Sequence, residues 1–359
     1  MAKGIISSLI AAIVFFVAGG ISARILGTKE GAYSSMFGSF DELACSLLNT
    51  TVTDSGSWEF DGHKVIKLGS SNADMRVEPI DGDKITLSVS EVKRRIHVTV
   101  SESENSEEIA ISICKTSFFG FSFGPNCAAV IGLPKTIYDS LEAGIGSGTM
   151  TIKDISAKKN EFDVSSGKLE FTQKADFTAE RIDLDMGSGS ANISGNANTY
   201  IIEISSGSAN VNGSANDLNI DIGSGSLTMD TAKTEKFNMG MSSGKFEING
   251  LSGSGEIDVA SGKGTAYFTD TTYIGGSEFD ISSGSLTVYL PADTNAKING
   301  DVSSGSIVVD CCGVDKKISD EETVVLGSGG AEISADVSSG KMSFFDNQTA
   351  MAQVTITKQ

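Results

Sequence analysis

The sequence predicts an all-β chain wound into a parallel β-solenoid of about ten short rungs behind an N-terminal membrane helix, and three features carry that expectation. One short phrase recurs: "FDVSSGKLEF" at residues 162–171 returns as "FDISSGSLTV" and again as "GDVSSGSIVV". The recurrences align on a glycine, at Gly148, Gly167, Gly189, Gly207, Gly225, Gly244, Gly262, Gly284, Gly305, Gly329 and Gly340. From Gly148 to Gly305 the intervals are 19, 22, 18, 18, 19, 18, 22 and 21 residues, near the short end of the solenoid range. Apolar residues also stand three and five positions before the glycine and two and four after it, as Ile222, Ile220, Leu227 and Met229 do around Gly225. Such alternation marks strands with one buried face.

Taken in order, the chain opens with an uncharged stretch from Gly4 to Ala23, "GIISSLIAAIVFFVAGGISA". As a helix, twenty such residues cross roughly 30 Å of hydrocarbon. Residues 1–30 are therefore expected to form an uncleaved single-pass anchor. A cleaved signal peptide is the alternative, with Lys3 as a thin charged region and "GIS" as its small-residue site. Either one exports the rest of the chain, placing a solenoid outside the cytoplasm at the cell membrane. Positive residues on both flanks (Lys3; Arg24 and Lys29) leave orientation weakly determined. Residues 31–60 read as a juxtamembrane helix or linker, because Phe37, Phe40, Ala44, Leu47 and Leu48 fall near a 3.6-residue spacing.

Residues 61–142 form an entry β-region and cap. Alternating segments such as "HKVIKL", "KITLSVS" and "EIAISI" are strand-like, and "FFGFSFG" at 118–124 is an apolar cluster suited to covering a first rung or touching a membrane. Residues 143–359 carry the regular repeats. Apolar parity shifts across each aligned glycine, so the backbone is expected to bend there, with glycine supplying positive φ and the preceding serine hydroxyl satisfying turn amides. A second turn per repeat is marked by Gly, Asn or Asp, as in "NGSAND" and "NGLSGSG". An antiparallel meander would need about twenty strands in one sheet, whereas open sheets rarely exceed about ten. Coiling the repeats removes that difficulty and stacks equivalent residues about 4.8 Å apart, for a rod roughly 50 Å long. Proline is absent from Lys135 through Leu290, as continuous ladders require.

With these features in view, residues 64–359 resemble a family of bacterial envelope proteins known as "putative adhesins", of unknown function, with Gly-Ser β-strand repeats behind a membrane segment. The resemblance rests on the phrases "IKLGSSNADMRVEP", "AVIGLPKTIYDSLEAGIGSGTMTI", the serial "SSG" turns and "VVLGSGGAEISADVSSGKMSF", met in the family's order. It implies a right-handed parallel β-helix-like fold and an extracytoplasmic location. It supplies no catalytic or ligand residues.

Composition narrows the function. A formal charge of -19 repels nucleic acid phosphates and anionic lipid, which leaves cations, basic proteins or neutral glycans as partners. Only two histidines, His63 and His97, are present, both in the entry region. The five cysteines include no C-x-x-C; Cys114 and Cys127 could bridge a hairpin or, like Cys45, Cys311 and Cys312, stay unpaired.

The strongest pattern beyond the fold lies four residues before the aligned glycine: Asp163, Asp185, Glu203, Asp221, Asp258, Asp280, Asp301 and Asp336 are acidic, and Gly144, Gly240 and Val325 are the exceptions. Stacked carboxylates repel, so solvent, outward lysines such as Lys168, Lys245 and Lys263, or bound cations must offset them. The row reads first as a solubilising face and second as a weak, multivalent calcium candidate, since the G-G-x-G-x-D calcium repeat is missing. No cofactor and no firm metal site are implied.

The outward residues Ser190, Asn192, Ser208, Asn210, Ser226 and Thr228 form a polar face that no Trp or Tyr stripe lines. No catalytic residues are assigned: a polysaccharide lyase or hydrolase on this scaffold would need long loops, which the short intervals do not supply. The expected role is a non-catalytic adhesion, interaction or structural envelope protein that contacts cell-wall polymer or surface proteins. An accessory to a membrane stress-sensing system is the alternative.

Overall fold

The computed structural model describes residues 56–347, apart from 72, 91–95, 103–106, 116–127 and 232–233. The expected anchor, most of the juxtamembrane segment, the "FFGFSFG" cluster, Cys45 and Cys127 lie outside the described residues. No helix among the described residues is long and apolar enough to cross a membrane.

Each rung consists of two strands, one on each of two facing sheets, and in the ten regular rungs these are joined at the aligned Ser-Gly corner. Around Gly225 the leading strand is Ala215–Ile222 and the trailing strand Ser226–Asp230. Leading strands pair in parallel only with leading strands, and trailing with trailing. The predicted inward positions are buried: Ile220, Ile222, Leu227 and Met229 all stand in the core between the sheets. Burying one such side chain contributes roughly 1.5–3 kcal/mol. Every rung repeats the pattern, and aromatic residues continue it along the axis, with Phe279 against Phe268 at 6.4 Å and against Phe344 at 6.3 Å between ring centroids.

The described residues form twelve rungs rather than the ten expected, because the entry region contributes two of its own, 65–80 and 108–134. The order in space also departs from the order in sequence at both ends. The first rung, Val65–Ser70 with Asp74–Ile80, sits one place inward, between the outermost rung at 108–134 and the rung at 137–153. At the far end the last rung, Ala331–Val337 with Lys341–Asp346, is inserted between the rung at 277–290 and the outermost rung at 296–311. Both termini of the solenoid are thus paired on two sides.

Antiparallel strands close the ends. Ile85–Ser90 and Ile96–Glu102 cover the outermost rung at one end, and Gly56–Phe60, expected to be linker, adds a further antiparallel strand. Val314–Ile318 and Glu322–Leu326 cover the other, joined by an ion pair of 2.6 Å between Lys316 and Glu322. A parallel edge left open would template association with another chain, and the charged caps remove it.

The role of the aligned glycine differs from the sequence expectation. Of the eleven, only Gly329 has positive φ, and it stands in the loop after the cap strand Glu322–Leu326, off the ladder. The other ten stack directly. A Cβ on Gly225 would lie 2.6 Å from the Gly207 carbonyl oxygen, and the same clash recurs from Gly167 to Gly284 and on through Gly340 to Gly305. Glycine is required by close approach of backbones.

That approach comes from hydrogen bonds that run through the corner without a break. Gly223, Ser224 and Ser226 donate backbone N–H groups to the carbonyls of Ile204, Ser205 and Gly207 at 2.8, 2.7 and 2.9 Å. The corner amides are therefore satisfied by the neighbouring rung's main chain rather than by serine hydroxyls, and Ser224 is exposed. One bend does use a strained residue: Asp154, with φ of 52°, turns the long strand Thr149–Val164 from the trailing sheet into the leading one.

Gly225→Ala is therefore expected to destabilise the chain by at least the roughly 1–3 kcal/mol typical of overpacking, whereas Ser224→Ala stays within about 0.5 kcal/mol of wild type. Urea unfolding followed by circular dichroism checks the contrast.

Candidate interaction surfaces

The leading sheet carries the acidic row outward, and its members are register partners. Asp163, Asp185, Glu203 and Asp221 follow one another, Gly240 interrupts, and Asp258, Asp280, Asp336 and Asp301 complete the row. Asp336 precedes Asp301 because of the inserted rung. At Asp280, burial and then the charges of Asp336 and Asp258 hold the carboxyl above its ordinary value.

The lysines expected to offset this row do not face it. Lys168, Lys245 and Lys263 begin trailing strands, and two of them pair with their own strand, Lys168 with Glu170 at 2.7 Å and Lys245 with Glu247 at 3.9 Å. Among the described residues no group of three His, Cys, Asp or Glu side chains converges in a way that could hold a metal ion. A flat row differs from the oxygen cage that tight calcium binding needs.

The trailing sheet carries the polar rows. Ser190, Ser208 and Ser226 stack, as do Asn192, Asn210 and Thr228, and Asn210 Nδ2 donates to Asn192 Oδ1 at 3.0 Å. Five residues after each glycine a further outward row runs Asp230, Asn249, Tyr267, Tyr289, Phe345, Asp310. This row holds an aromatic stripe, which corrects the expectation that no Trp or Tyr stripe lines this sheet: the three rings share one offset from their glycines, and the register stacks them. Tyr267 and Tyr289 stack with centroids 4.5 Å apart and planes 4° apart, and Phe345 follows at 5.9 Å. Ring faces stacked on one another are spent on each other, so the stripe offers mainly edges and phenol groups to a ligand.

Beside this stripe, the chain turns from trailing back to leading sheet, and here an open surface cleft of about 780 Å³ lies. Its walls are the loop 269–276, the crossing loop 291–295 and residues Gly330 and Ala331. The inserted rung creates it. The crossing loop leaves strand Ser285–Leu290 and must pass over the rung at 331–346 to enter Ala296–Val302. Tyr273 stands on the first wall and is 73% exposed.

The walls are tied together. Thr272 donates its N–H and hydroxyl to Asp270 Oδ1 at 2.8 and 2.6 Å, which holds the Asp270 carboxyl below its ordinary value. The Thr271 and Thr294 hydroxyls meet at 3.1 Å, and Asn295 Oδ1 accepts from the N–H and hydroxyl of Ser328 at 2.8 and 3.0 Å.

The histidines belong to the opposite end: His63 is buried, with Nδ1 2.6 Å from the Asp61 carbonyl oxygen, and His97 lies on a cap strand. Cys311 and Cys312 are both free thiols, and burial pushes the Cys311 thiol well up.

A family model described as Toastrack DUF4097 matches residues 63–344. Three solved structures are similar in part. One is a "putative cell adhesion protein" from Clostridium sporogenes, at 11% identity, covering 82% of this chain and 100% of its own, with a TM-score of 0.21. Two are "putative adhesins". That from Bacteroides fragilis has 11% identity, 82% and 96% coverage and a TM-score of 0.34, and that from Parabacteroides merdae has 11%, 81% and 95%, and 0.34. No curated protein matches this chain.

The raised Asp280 carboxyl generates a pH prediction. A carboxyl whose folded value lies above its unfolded one costs stability when ionised in both states, and that cost disappears as pH falls below the ordinary value near 3.8. Asp280→Asn should therefore raise the melting temperature at pH 7 and leave it unchanged below that value. Melting curves across pH 3 to 8 measure this, and the gain should shrink in high salt.

Proposed function

The chain belongs to the Toastrack DUF4097 family, and on that premise we propose that it is a non-catalytic interaction or structural protein. In this reading a single N-terminal span holds it at the membrane, and the solenoid stands outside the cytoplasm and contacts cell-wall polymer or surface proteins. The observation that supports the reading best is the build of the rod itself. An unbroken ladder capped at both ends gives two long flat faces, one acidic and one rich in hydroxyls and amides. Rigid repetition of this kind builds surface without enclosing a reaction chamber, and repeat proteins use such surfaces for binding.

The cavity the described residues do form is an open cleft of loops, separated from both histidines by the length of the rod. Its polar groups are hydroxyls, amides and carboxylates, and Asp270 is held ionised by Thr272. A general acid needs the opposite shift, toward protonation near neutral pH. The acidic row on the leading sheet acts as a solvated face that keeps the rod soluble and apart from its neighbours.

Co-sedimentation of the detergent-solubilised full chain with purified cell-wall material tests the reading. Saturable pelleting is expected. A variant with all eight acidic-row residues changed to asparagine should pellet as well as wild type while losing solubility. Absence of pelleting at any concentration would contradict a wall-contacting role.

A further inference from the structure

The cleft at the C-terminal end has features that the fold alone does not require. In the 18-residue repeats this corner closes with very few residues, as Gly213 and Ser214 do between Asn212 and Ala215. Between Gly262 and Gly284 the interval is 22 residues instead of the usual 18, and the surplus forms the loop 269–276. An interval of the same length between Gly167 and Gly189 gives the useful contrast. There the extra residues turn an aromatic inward, and Phe177 packs against the core. At the cleft the extra aromatic, Tyr273, points out.

Its exposure is not the consequence of a loose loop. The next residue, Ile274, is fully buried, and its carbonyl accepts from the Ser277 hydroxyl at 2.7 Å. On the other side, Thr272 is tied to Asp270. The backbone on both sides of Tyr273 is thus anchored, so the loop that presents the ring is ordered on folding rather than on binding.

We infer that this cleft binds a neutral saccharide chain, an inference that rests on the envelope-interaction reading and names the ligand class it would take. Tyr273 offers an apolar ring face for the C–H face of a pyranose. The carboxylates of Asp270 and Asp293 accept hydrogen bonds from sugar hydroxyls, and Thr271 and Thr272 add hydroxyls of their own.

No lysine or arginine lines the cleft, so phosphates and uronates meet only negative charge. A divalent cation lacks the convergent ligands it would need among the described residues. A basic peptide would also meet the two carboxylates, but most polar side chains of the lining are hydroxyls, which suits sugar better. The volume of about 780 Å³ falls within the roughly 300–1,000 Å³ of small-molecule sites. Tyr267 and Tyr289 stand one residue before the ends of the strands that lead into the two loops, so a longer chain would continue along their phenol edges.

The test uses the full chain in detergent and calorimetry with four probes: chitotetraose, cellotetraose, tetragalacturonate and tetralysine. At least one neutral tetrasaccharide should bind saturably, tetragalacturonate should not bind, and Tyr273→Ala should weaken the sugar at least tenfold without moving the melting temperature. Asp293→Asn should weaken it severalfold.

Neutral sugar binding that is unchanged in Tyr273→Ala would overturn the inference, as would binding of tetralysine alone or of no probe. Wall pelleting that persists in Tyr273→Ala while no tetrasaccharide binds would overturn the cleft and leave the wall-contacting role standing. Loss of pelleting from the wild type would count against that role itself.

Discussion

Everything in this molecule depends on backbones meeting at the Ser-Gly corner. Three main-chain hydrogen bonds per rung carry the ladder around the bend, and they draw the chain so close that a Cβ would overlap the carbonyl of the rung before. The constraint is steric and cumulative. One glycine permits one junction, and a continuous file of ten permits two sheets to share edges along the whole rod without an interruption that water or strand slippage could exploit. Side-chain choice is then freed elsewhere: inward positions need only be apolar and of suitable volume, and outward positions need only be polar.

A ladder this regular creates a problem at its ends, where a parallel edge would invite another chain. The same solution appears twice. At the entry and again at the exit, a rung, a pair of cap strands and another rung follow in sequence, and the sequence-terminal rung is tucked one place inward. The outermost rung is covered by antiparallel strands, and the terminal rung gains partners on both sides. The arrangement has a local consequence. A connection that must pass over the tucked rung is longer than a simple turn, and at the C-terminal end that crossing loop and its neighbour 269–276 enclose the cleft. A device that protects an edge thereby places loops where ligand chemistry can gather.

Much of this architecture is legible in the sequence because it is local. Apolar spacing around Gly225 places four core residues correctly, and the acidic row from Asp163 to Asp336 emerges as register neighbours, since a constant interval converts sequence period into spatial stacking. What is not legible is non-local. Nothing in the phrase "GSGGAEIS" says that Gly329 lies off the ladder, and nothing in Lys168 or Lys245 says that these lysines face away from the acids, since that depends on which sheet each strand joins. The aromatic stripe shows the boundary between the two. Tyr267, Tyr289 and Phe345 share one offset from their glycines, so the alignment contains them, but Phe345 reaches Tyr289 only because the chain order is broken. Tyr273 sits in an insertion, where the repeat carries no information at all. The reason for glycine differs from expectation for a related cause: positive φ is a property of one residue, whereas close approach belongs to two rungs.

The register at the C-terminal end is the central claim, since the cap, the aromatic stripe and the cleft all follow from it. It is tested most directly by cysteine pairs in an otherwise cysteine-free chain. Neighbouring strands lie about 4.8 Å apart, within disulfide reach once side chains relax, and strands two rungs apart lie near twice that, beyond the roughly 7 Å limit. Asp280→Cys with Asp336→Cys, and Asp336→Cys with Asp301→Cys, should cross-link under mild oxidation, while Asp280→Cys with Asp301→Cys should not. Cross-linking of 280 with 301 in preference to 336 would mean that the rungs stack in sequence order and that no rung is inserted at this end.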